Sequence, residues 1–173
     1  KVDLLISGDL LNQIISASFA ARQFGIPFLG VYSACSTMSE AFALSASMVN
    51  AGYADTVVAA TGSHFSSAER QYRYPLELGC TRPPQSQWTV TGAGSAVISN
   101  KGEGVSITAA TFGKVVDFGV TDVNNMGAAM APAAADSLLT HFKDTGQPYP
   151  QRSDVGKGRG YFRQSRGLRR GHL

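Results

Sequence analysis

Three short apolar runs alternate with two stretches of helical periodicity over the first sixty residues, and the links between them are short. Val2 to Ser7 (VDLLIS) is nearly continuous in apolar character, as a strand covered on both faces must be. Leu10 to Phe24 places Ile14, Ile15, Phe19 and Ala20 at helical intervals and stops at Gly25, with Pro27 beyond. Phe28 to Tyr32 reads as a second strand, Ser36 to Asn50 as a helix of small residues, and Asp55 to Thr61 as a third strand. Strand, helix, strand, helix, strand with short connections predicts an α/β layer around a mostly parallel sheet.

The rhythm breaks after Ser63. From Ser66 to Gln87 the chain is polar, interleaves Arg70, Tyr72, Arg73 and Tyr74, and carries Pro75, Pro83 and Pro84, which predicts a long functional excursion or lid. Two extended runs follow, Thr89 to Ser99 and Val105 to Val116, and the turn-like residues Asn100 to Gly104 between them predict a hairpin. Ala131 to Lys143 reads as a helix with Pro132 in its first turn.

Charge is unevenly spread. Residues 1–150 hold 8 Lys+Arg against 11 Asp+Glu, whereas residues 151–173 hold 7 Lys+Arg against Asp154 alone. The body is mildly acidic, so the overall charge of +3 gives no ground for assigning it nucleic acid as a partner. From 147 to 173 the Gly- and Arg-rich sequence lacks an apolar period, which predicts a disordered basic tail following a domain of residues 1–146. The sequence has no long apolar stretch and opens on a strand pattern, so neither a transmembrane segment nor a signal peptide is expected. Cys35 and Cys80 lack paired spacing, so neither a metal site nor a disulfide framework is expected, and a reducing compartment fits.

Cys35 is the residue whose position speaks most directly of chemistry. It follows the apolar run FLGVY and Ser33-Ala34, and precedes a helix, where unpaired backbone N–H groups favour a thiolate. A nucleophile fits there, and so does a small buried apolar residue at a crowded turn. Arg70, Arg73 and Arg82 offer planar forks for carboxylates, while Tyr72, Tyr74 and Trp88 offer flat apolar surface. His64 has the chemistry to donate to an anion or to pair with Glu69. Glu69 and Arg70 read equally as a local ion pair, Trp88 as core, and His64 as a hydrogen-bonded structural residue. The glycines of TGAGS lack the Lys-Ser/Thr and the following helix of a phosphate loop, so nucleotide binding is rejected; Gly92 and Gly94 are expected to permit close backbone approach beside the thiol.

The stretch GVYSACSTMSEAFALSASMVNAGYADTVVAATGSH resembles the nucleophile segment of thiolases and ketoacyl synthases, and TVTGAGSAVIS resembles their later glycine-rich strand. More narrowly, SHFSSAERQYRYPLELG, RPPQSQWTVTGAGSAV and NNMGAAMAPAAAD are similar to the stage V sporulation protein AD family, over nearly all of residues 1–145. The resemblance implies a thiolase-like layered fold, no cofactor or metal, and a role in binding dipicolinic acid and moving it into the developing spore. Cys35, His64, Glu69, Arg70 and Arg73 are then the expected ligand-binding residues. Other spore transport membrane proteins are the expected partners, a homodimer the expected assembly, and the cytoplasm or the periphery of the spore inner membrane the expected place. The alternative is an acyltransferase in which Cys35 accepts the acyl group.

The chain departs from such a family in two ways. A thiolase fold has two similar halves, and the second, which supplies most catalytic partners of the Cys, is missing, as are the opening strand and helix of the first. Residues 1–146 therefore read as an N-terminal half truncated at both ends, which argues against turnover by this chain alone. A shifted reading frame accounts for the tail from 147, and a charged segment that meets anionic lipid or a partner is the alternative.

Overall fold

The computed structural model describes residues 1–64, 89–122 and 125–148, in two compact units, 1–102 and 103–173. The expected excursion from Ser66 to Gln87, with Glu69, Arg70, Arg73 and Cys80, lies outside the described residues, as does the tail from 149 onward.

The first unit is built on a four-stranded sheet in the order β2-β1-β3-β4. Its strands are β1 (Leu4–Asp9), β2 (Phe28–Gly30), β3 (Thr56–Ser63) and β4 (Gly92–Ser99). β1 pairs in parallel with β2 (Ile6 with Leu29) and with β3 (Ile6 with Ala59). Flanked on both sides, β1 is buried from Leu5 to Asp9, which is why its sequence is apolar without alternation. Asp3 fixes the register at the other end: its carboxylate accepts the N–H groups of Asp55 and Thr56 at 3.1 and 3.0 Å.

Two helices pack on this layer. α1 (Ile15–Phe24) buries Ala17 and Ala21, one turn apart, and ends at Gly25, whose φ of 61° favours a residue without a Cβ. α2 (Thr37–Asn50) buries Thr37, Ala41, Ser45 and Val49 at intervals of four, a stripe that faces inward, and buries Ala43 away from that stripe. Small side chains on that stripe let the helix lie close to the sheet. The core beneath it comprises Ile6, Val31, Val57 and Ala59, together with Ala41, Val49 and Ala54. Burying a side chain such as Ile6 or Val57 contributes about 1.5–3 kcal/mol, so this layer is the main source of the unit's stability.

The expected hairpin does not form. β4 instead pairs antiparallel with β3, from Thr56 opposite Ser99 to Ser63 opposite Gly92. The reason is the open flank of β3: β1 occupies one side, and β4 satisfies the backbone of the other while setting Ile98 against the core. Residues 106–116 carry no strand and belong to the second unit.

That unit contains α3 (Met126–Thr145), whose N-terminus is capped by the Asn125 side chain accepting from the N–H of Ala128 at 3.2 Å. The preceding segment runs alongside it in the opposite direction. Thr111 meets His141 at 2.9 Å and Lys114 meets Asp136 at 3.1 Å. Pro132 sits well inside α3 and not in its first turn as expected, because the Asn125 cap and the small residues after it start the helix earlier. No helix among the described residues is long and apolar enough to cross a membrane.

Candidate functional site

The parallel strands β1, β2 and β3 all end on one side of the sheet, and the chemically capable residues gather there. In open parallel sheets this is the edge at which ligands bind.

Cys35 follows β2 within a 3-10 turn, Ala34–Ser36, that leads directly into α2. It is exposed, which removes the reading of Cys35 as a buried apolar residue. The turn is sharp: Ala34 has a φ of 48°, a conformation that costs an L-residue about 1–2 kcal/mol. Thr37 holds it. The fully buried Thr37 hydroxyl donates to the carbonyl of Ala34 at 2.8 Å and accepts the N–H of Ser33 at 3.2 Å. Ser36 adds a second tie, donating through Oγ to the Ser33 carbonyl at 2.8 Å.

The turn approaches β1 because of Gly8. A Cβ at that position would overlap the carbonyl oxygen of Val31 and stand 2.7 Å from Cγ2 of Thr37. This is the close backbone approach that sequence reasoning assigned to Gly92 and Gly94. Among the described residues that assignment finds no support, since a Cβ at either of those two would meet none of them within 4 Å. β4 is an edge strand with an open face, so its glycines are under no such crowding.

His64 follows the last residue of β3 and is exposed. It lines a cavity of about 270 Å³ together with Asp9, Gln13, Ser16 and Ser63. Leu10, Leu11 and Ile15 supply the apolar wall. Sequence reasoning missed Asp9, which is only 4% exposed. Its carboxylate accepts the N–H of Ala17 at 3.3 Å and so caps α1 from a distance. The residue at the start of that helix, Ile14, has no side chain able to do so and adopts a φ of 45°. A polar Ser7-Gly8-Asp9 closing an apolar strand was the available signal.

Of the expected site residues, the structure thus sets Cys35 on the turn after β2 and His64 in the cavity beside β3. Cys35 is not among the residues lining that cavity. Glu69, Arg70 and Arg73 lie outside the described residues. No group of three His, Cys, Asp or Glu suited to a metal ion occurs among the described residues.

A parallel α/β layer with a cysteine presented on a turn at the entry to a small-residue helix defines a thiolase-like fold. 3-oxoacyl-[acyl-carrier-protein] synthase III from Aquifex aeolicus VF5 shares that fold, superposing with a TM-score of 0.50 at 18% identity, over 66% of this chain and 36% of that one. The corresponding synthase III from Thermus thermophilus gives 0.42 at 20% identity, over 60% and 31%. The family model for stage V sporulation protein AD matches residues 1–155. The chain is also 51% identical over 143 residues to stage V sporulation protein AD of Bacillus subtilis (strain 168). It belongs to the stage V sporulation protein AD family. The matched stretch takes in 83% of this chain and 42% of that relative, so the chain spans less than half of the relative's length.

Proposed function

We propose that this chain is part of a dipicolinic-acid-binding protein of spore formation, which acts in the uptake of that acid into the developing spore. The observation that carries the reading is His64: exposed, directly after β3 on the carboxyl edge of the sheet, and followed in sequence by Glu69, Arg70 and Arg73. Dipicolinic acid is a planar aromatic dicarboxylate. Guanidinium forks match carboxylates in pairs, and tyrosine rings such as Tyr72 and Tyr74 match an aromatic face. The role needs no cofactor. It places the protein in the cytoplasm or at the periphery of the spore inner membrane, working beside membrane-embedded transport proteins and, at full length, as a homodimer.

Calorimetric titration of dipicolinic acid into the full-length protein tests this reading. Binding is expected, weakened about tenfold or more in each of the His64→Ala, Arg70→Ala and Arg73→Ala variants, as befits a lost charge-assisted hydrogen bond. A folded protein that evolves no heat of binding rejects it.

The exposure of Cys35 on the turn that leads into α2 favours a second reading, acyl transfer. The thiolate would attack the carbonyl of an acyl thioester, a new thioester would form at Cys35, and the departing thiolate would take up a proton. Incubation with acyl-CoA followed by mass spectrometry decides: an unmodified Cys35 eliminates this reading.

A further inference from the structure

We propose that the cavity between the carboxyl ends of β1 and β3 binds a small organic cation, whose protonated nitrogen is held by the carboxylate of Asp9. Asp9 lines the cavity and is 4% exposed, so its charge is withdrawn from bulk water. A carboxylate has room for about four hydrogen bonds, and a buried one is costly unless partnered. Among the described residues Asp9 receives one, the 3.3 Å contact from the N–H of Ala17 to Oδ2. Its other oxygen, Oδ1, lies near Gly62. Asp9 is thus a nearly buried carboxylate that lines the cavity and accepts one hydrogen bond among the described residues.

The rest of the lining narrows the chemistry. Gln13, Ser16 and Ser63 carry neutral oxygens able to accept from a nitrogen, and the basic side chain among the lining residues is the exposed His64 at the rim. A carboxylate or phosphate at the floor would be repelled by Asp9. A metal ion would find one carboxylate and no cluster of three ligating side chains among the described residues. An alkylammonium with a short apolar body fits both the carboxylate and the wall of Leu10 and Leu11. The inference goes beyond the dicarboxylate reading, since the two ligands have opposite charge and the tests use different probes.

Titration with n-propylammonium, followed through the amide resonance of Ala17, tests the proposal because that N–H reports directly on the carboxylate. Saturable binding is expected in the wild type, with acetate producing no such shift. Asp9→Asn keeps an oxygen for the Ala17 N–H and removes the charge, so affinity is expected to fall about tenfold or more while circular dichroism is unchanged. Should Asp9→Asn fail to fold, Gln13→Leu at an exposed position decides instead, with an expected loss of about threefold. Absence of saturable binding in the wild type, or undiminished affinity in the deciding variant, overturns the proposal, whatever the outcome with dipicolinic acid.

Discussion

The hydroxyl of Thr37 and the backbone N–H of Ser33 meet at 3.2 Å, and the same hydroxyl donates to the carbonyl of Ala34 at 2.8 Å. One buried side chain therefore closes the turn on which Cys35 is displayed. The turn includes Ala34 at a positive φ, so the local backbone does not favour it unaided. Thr37→Val keeps the shape and removes both bonds. It is expected to destabilise the protein by about 1–3 kcal/mol, because the N–H of Ser33 is left without that acceptor. Urea denaturation measures this, and a change below the error of the extrapolation would show that the turn is held by packing alone.

Gly8→Ala tests the contact between that turn and the sheet. The added methyl would overlap the Val31 carbonyl oxygen, which is backbone on a hydrogen-bonded path and has little room to move. A loss of about 1–3 kcal/mol or more is expected, in the range for overpacking a core. Gly94→Ala on the open face of β4 is the control, and its stability is expected to change by less than about 1 kcal/mol. Equal effects at the two positions would contradict the crowding at Gly8.

The thiol of Cys35 is expected to react with iodoacetamide in the native protein, with peptide mapping to separate it from Cys80. Its exposure also predicts that Cys35→Ser shifts stability by no more than about 0.5 kcal/mol. Protection of Cys35 until the protein is unfolded would run against both expectations.

The alternation from β1 to β3 was legible in the sequence because each element there is specified locally, by an apolar run or by a stripe such as Thr37, Ala41, Ser45 and Val49. β4 was misread for the opposite reason. Its partner is forty residues away in places, and nothing in TVTGAGSAVIS distinguishes pairing with β3 from pairing with the next extended run. The start of α1 was set five residues early, since Leu10 and Ile14 satisfy a helical period while Ile14 in fact adopts a left-handed conformation. Cys35 and His64 were singled out as residues following strands, and the structure places each of them there. Gly8 and Asp9 were not, because the work they do, admitting Val31 and capping α1, exists only once distant segments meet.

Asp3 is the counterpart of Asp9 at the other end of the sheet. Its carboxylate accepts two backbone N–H groups, those of Asp55 and Thr56, and thereby sets where β3 begins against β1. Asp3→Asn retains one oxygen and removes the charge, whereas Asp3→Ala leaves both donors without it, so the second variant is expected to be the less stable. The expected losses are about 1 and about 2–3 kcal/mol, since hydrogen bonds to a charged acceptor are worth more than neutral ones. A chemical denaturation series on the two variants checks the order. The reverse order, or no loss in Asp3→Ala, would mean that water replaces the carboxylate at this edge and that the β1–β3 register rests on Ile6, Val57 and Ala59 alone.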